Sequence, residues 1–155
     1  MNLLEAQYKL VQSSREVLLN YCCSIEQPDF IKEHTTFGPG SIRNLLVHIA
    51  NTYEQWIGIQ ALEKKMQLTR YEPVHTAVDA IEYFQHIDQL MQEFFRVMDS
   101  RIMEPKELRF NDQTRFIDGL TFFSHVITHE FHHKGQIMSL SRHLGYLPVD
   151  ADILR

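Results

Sequence analysis

The chain has 155 residues, 44% of them hydrophobic and 23% charged, about the size and balance of one ordinary soluble domain. Its 15 basic and 20 acidic residues give a formal net charge of -5, with no basic stripe to grip phosphate backbones, so nucleic-acid binding is not expected. Nowhere do ~18 or more apolar residues run together, so no transmembrane helix and no membrane partner are expected.

The first predicted element is a helix from about Leu3 to Cys23. Leu4, Tyr8, Val11, Leu18 and Cys22 recur at steps of three, four and seven and so share one face. Glu5, Lys9, Arg15 and Glu16 interrupt the apolar residues, which excludes a signal-peptide core here. Cys22 and Cys23 are the only cysteines. Adjacent cysteines rarely bridge each other, so they read as small apolar residues at a helix end, and a reducing cytoplasm fits best.

Pro28 and the stretch FGPGS, from Phe37 to Ser41, then break the pattern. Ser41 is a natural N-cap for a second helix, in which Ile42, Leu45, Ile49 and Trp56 share a face, reaching Lys64 or Lys65. A third helix starts near Pro73 to Thr76, where Thr76-Ala77-Val78-Asp79 resembles a capping box. It carries an apolar stripe from Val78 to Met98 and ends before Pro105. The segment LRFNDQTRFI, between Glu107 and Ile117, reads as a small hairpin around Asn111-Asp112-Gln113. A fourth helix runs from Asp118 to His143 or Leu144, with Gly145 as its C′ residue and Pro148 beyond. Four such helices predict an all-α four-helix bundle, either up-down-down-up or up-down-up-down.

The chemistry concentrates on the fourth helix. His125, His129 and His133 are spaced by four and four, which stacks them along one face. Two imidazoles at i and i+4 can reach one metal ion from the same side, and His132 points about 100° away from that face. Phe122, Val126 and Ile137 flank the ladder on one side, with Phe123, Ile127 and Met138 on the other, so the stripe is expected to face a partly buried cleft. A further candidate from another helix is His48, in LLVHIANTYEQW, whose bland alternative is a boundary histidine bonded to a carbonyl or to Thr52. His34, His75, His86 and His143 read as solvated.

The run HEFHH, His129 to His133, also fits the H-E-x-x-H pattern of zinc peptidases. The extended form of that motif needs Gly and His where Gln136 and Ser139 stand, and no Glu follows Glu130. An all-helical bundle also offers no strand edge to hold an extended peptide. Glu130 is therefore expected to pair with Lys134 at i+4 rather than act as a general base.

The residues HxxxHExHHKGQI at His125 to Ile137, then LSRHLGY at Leu140 to Tyr146 and SIRNLLVHIANTYEQW at Ser41 to Trp56, together resemble the signature of the DinB/YfiT-like superfamily. The resemblance implies an up-down-down-up four-helix bundle spanning 1–155 as one domain. It implies a divalent metal held by His48, His129 and His133, with His125 an additional upstream histidine outside the ligand set. Lys134 stands where Arg is commoner. Gly135 is expected to allow close helix packing, and Gln136 to reach a neighbouring loop. Understood members of the family are thiol-dependent enzymes, so the resemblance implies a metal-dependent transferase that uses a low-molecular-weight thiol of the bacillithiol type. Zinc, nickel, iron, cobalt or manganese would suit three imidazoles. A hydrolase, a non-catalytic metal- or ligand-binding module, and least of all an H-E-x-x-H peptidase are the alternatives. A small-molecule substrate is expected, and the resemblance leaves a homodimer open.

Overall fold

The computed structural model describes residues 3–34, 36, 38 and 40–155. Among these the protein is mostly helical: α1 (Leu3–Cys22), α2 (Gln27–Ile31), α3 (Ile42–Tyr53), a π-helical continuation of α3 (Glu54–Ala61), α4 (Ala77–Met98) and α5 (Gly119–His143). One hairpin, β1 (Lys106–Phe110) and β2 (Gln113–Ile117), interrupts the helical order.

The four long helices form where the apolar spacing places them. Tyr8, Val11 and Leu18 of α1 are all buried, as expected of that stripe. Helix α3 packs on α4 and α5, and α1 packs on the same two helices from the other side. The core between them includes Leu18, Ile42, Leu45, Ile49, Phe94 and Phe123, each almost completely buried.

Local chemistry sets the ends. Ser41 accepts a hydrogen bond from the Asn44 amide, and Asp118 accepts one from the Thr121 amide. Thr76 and Asp79 form the reciprocal capping box expected at the start of α4. At the end of α5 the Gly145 amide donates to the Arg142 carbonyl and the Tyr146 amide to the Ser141 carbonyl, both at 3.0 Å. Gly145 sits at φ +96°, so this is a Schellman cap, and glycine meets it without steric cost. The hairpin turns through Asn111 and Asp112 at φ +49° and +59°, the double left-handed conformation of a type I′ turn.

Several expectations need correction. Pro28 does not simply break the chain; it occupies the first turn of α2, where its missing N–H costs nothing, and buried Phe30 anchors that turn. The second long helix stops at Ala61, short of Lys64, and its last turns are π-wound. The chain beyond turns through Glu63 at φ +57°, and Lys64 pairs with Glu93 of α4 instead of capping a helix. Of the FGPGS stretch, Phe37 and Pro39 lie outside the described residues. Gly135 does not serve close packing: it is exposed, and a Cβ there would meet nothing within 4 Å. Cys23 is exposed while Cys22 is buried, so only one of the pair is a core residue.

Candidate metal centre

Helix α3 delivers His48 and helix α5 delivers His129 and His133 to one place. The His129 Nε2 atom lies 3.1 Å from His48 Nε2 and 2.9 Å from His133 Nε2. The three ligand atoms all fall within 4.8 Å of one another. Two imidazole nitrogens bound to one zinc at ~2.0–2.1 Å, with angles between about 90° and 109°, sit roughly 2.9–3.4 Å apart. The observed separations match that geometry, so the residues present fit a single divalent ion.

Protonation favours the same use. Burial pushes His48, His129 and His133 below the usual histidine range; the Gln136 hydrogen bond partly opposes this on His133, while neighbouring rings add to it on His129 and take it down to about 4. All three rings are thus neutral at pH 7 and carry a lone pair. On His133, Nδ1 lies 2.6 Å from Gln136 Oε1. That contact is a hydrogen bond only if Nδ1 carries the proton, which leaves Nε2 unprotonated and aimed at its neighbours. Gln136 also lies against the loop, its amide 3.6 Å from where a Cβ on Gly38 would be, so the loop contact expected from sequence exists beside the unforeseen one to His133. Removing this orienting bond by Gln136→Ala should weaken metal affinity by about 10–100-fold, read by competition with a chromogenic chelator.

The ladder is graded from wet to dry. His125 is exposed, His129 half-buried and His133 only 5% exposed. His125 stacks with a ring-centroid distance of 5.6 Å from His129 and 5.2 Å from Trp56, outside the converging set. His132 is exposed beside the set, its ring centroid 4.9 Å from that of His133, and is not among the converging ligand atoms. The Thr52 hydroxyl donates to the His48 carbonyl, not to its ring, which leaves the imidazole available. His75, His86 and His143 are exposed as expected, but His34 is half-buried with a buried Nε2 and a ring contact to His143.

Glu130 faces away from this centre and is fully buried. The expected contact with Lys134 exists at 2.9 Å, but it is one of four. Arg15 donates from Nε and Nη2 at 3.0 and 2.8 Å, and the Tyr53 hydroxyl donates at 2.6 Å. Arg15 also bonds Asp88 at 2.7 Å, which Tyr8 bonds as well, and Lys134 reaches Ser14. Burial alone would raise the Glu130 carboxyl, but the Arg15 and Lys134 charges outweigh it and hold it at about 2. The network touches α1, α3, α4 and α5, the four helices that set the relative positions of His48, His129 and His133. The sequence carried one sign of it: Arg15 lies four residues after Val11 and three before Leu18, a charge in the middle of an apolar stripe.

The family model of the DinB family matches residues 1–155, the whole chain. The chain belongs to the DinB family. No curated protein matches it. A DinB-family chain with three converging neutral histidines can bind a divalent metal, and no helix among its described residues is long and apolar enough to cross a membrane.

Proposed function

We propose that His48, His129 and His133 hold one divalent ion, and that this DinB-family chain is a metal-dependent enzyme acting on small molecules, in its sharpest form a thiol S-transferase of the bacillithiol type. The observation that carries the proposal is the convergence of three neutral imidazole nitrogens, one of them oriented by Gln136. Three uncharged ligands would leave the ion its full charge, which acidifies a thiol at the site toward the thiolate that transfer chemistry needs. The protein's own part is orientation and exclusion of water. Burial keeps the rings unprotonated, Gln136 selects the His133 tautomer, and His125 with Trp56 walls one side of the approach.

The peptidase alternative loses its general base, because all four hydrogen-bond positions of the buried Glu130 carboxylate are taken. A binding module without catalysis would use the same histidines. Metal-loaded protein screened against a panel of thiols and electrophiles separates the two. Thiol consumption that scales with metal occupancy is the expected result; tight binding without turnover across the panel would favour the module.

We infer the up-down-down-up arrangement for the bundle, within one domain over 1–155. Leu3 and Leu4 at the start of α1 share a cavity with Phe95 and Met98 at the end of α4 and with Leu120 at the start of α5. His48 against His133 and Trp56 against Phe122 run α3 opposite to α5. The reading includes a homodimer in the cytoplasm. The free thiols of Cys22 and Cys23 are consistent with a reducing compartment.

A further inference from the structure

The β1–β2 hairpin covers one end of the α3–α5 seam, and beneath it lies a pocket of about 320 Å³. Its lining includes Trp56, Leu108, Arg115, Ile117, Phe122 and His125. His125 connects this pocket to the metal centre, since its ring packs on that of His129 at a centroid distance of 5.6 Å. The volume suits a small ligand, at the lower end of the range for such sites.

The hairpin's register makes Arg115 unusual. Leu108 pairs with Arg115 and Lys106 with Ile117, and successive residues alternate between faces, so all four share the face toward the pocket. Leu108 is buried and Ile117 half-buried there, while Phe116, on the opposite face, is 71% exposed. Phe116 is thus left in water against its partition, while Arg115, itself exposed, stands on the face whose apolar residues line the pocket. The two cations of the inner face also differ. Lys106 is paired with Glu63 at 2.6 Å and donates to the Gln60 carbonyl. Arg115 has no carboxylate partner among the described residues; it donates to the Gln113 side-chain oxygen at 3.1 Å.

We propose that this pocket is the subsite for the body of the substrate, and that it takes a small molecule with an apolar or aromatic body bearing a carboxylate, which Arg115 binds while the reacting end lies toward His129. This names a substrate class for the site under Proposed function and rests on that function for its catalytic meaning, but not for the binding itself. Leu108, Ile117, Phe122 and Trp56 supply the apolar walls. Arg115 supplies a planar donor pair matched to a carboxylate.

Trp56 is the only tryptophan in the chain, so its fluorescence reports occupancy of the pocket directly. The wild-type protein, metal-free and metal-loaded, is titrated with phenylacetate and with its uncharged counterpart phenylacetamide. Phenylacetate is expected to perturb Trp56 saturably and to bind about ten- to a hundredfold more tightly, as a hydrogen bond to a charged group implies. Arg115→Met should abolish that preference, and Arg115→Lys should restore part of it. Arg115 is exposed, so both variants should fold, with metal content unchanged. Equal binding of the two probes, no response of Trp56 to either, or a preference that survives Arg115→Met would overturn the subsite. A wild-type protein that binds no metal yet keeps the Arg115-dependent preference would instead overturn the proposed metal chemistry and leave the subsite standing.

Discussion

Glu130→Ala is expected to lower the unfolding free energy by about 3–5 kcal/mol, the usual cost of breaking a buried ion pair from one side. The variant leaves the guanidinium of Arg15, which is 3% exposed, with Asp88 as its one remaining carboxylate, and leaves the buried Lys134 ammonium with the Ser14 hydroxyl and the Phe131 ring but no carboxylate. Burial disfavours the charged form of both cations, and Glu130 is the partner that offsets this. A domain of this size has roughly 5–15 kcal/mol in total, so the loss is a large fraction and should appear as a drop of about 10 °C in Tm. Chemical denaturation with a double-mutant cycle on Arg15→Met and Glu130→Leu measures the coupling. The double variant should recover only the part of the loss due to the Arg15–Glu130 pair, because apolar residues replace that pair at little cost while the buried Lys134 ammonium still lacks its carboxylate. A change below ~1 kcal/mol in Glu130→Ala would mean that the network contributes little beyond its own desolvation.

His129→Ala should abolish stoichiometric metal binding, with a loss of affinity well beyond the ~10–100-fold expected for the orienting residue Gln136. His129 Nε2 is the atom close to both other nitrogens, so its removal leaves His48 and His133 without their common neighbour. Helix α5 is long and His129 only half-buried, so the fold should survive, as far-UV circular dichroism would verify. His125→Ala is the control. Its ring stacks on His129 without joining the converging set, and metal content measured by elemental analysis should stay at the wild-type level. Metal retained in His129→Ala would show that the histidine set is wrong.

Much of the fold and site was legible because both follow periodic rules. The apolar stripes of α1, α3, α4 and α5, the capping box at Thr76 and the Schellman glycine at 145 all act over a few residues. The i, i+4 pair His129 and His133 is likewise local, since the helix alone stacks the two rings. Their meeting with His48 was only a candidate from the residues and an implication of the resemblance, because residues 48 and 129 are joined by packing and not by spacing.

The sequence by itself determined which residues could ligate a metal, that they were histidines on helices, and that H-E-x-x-H lacked the remaining parts of a peptidase. Only the tertiary structure decided where the charges went. Arg15, Tyr53 and Glu130 lie on three different helices, and no period within one segment reveals that they saturate one another. The stop at Ala61, the place of Arg115 beside the Trp56 pocket and the burial of Glu130 were decided in the same way. Each depends on what a neighbouring element presents across a gap of a few ångströms, and that is set when the helices pack.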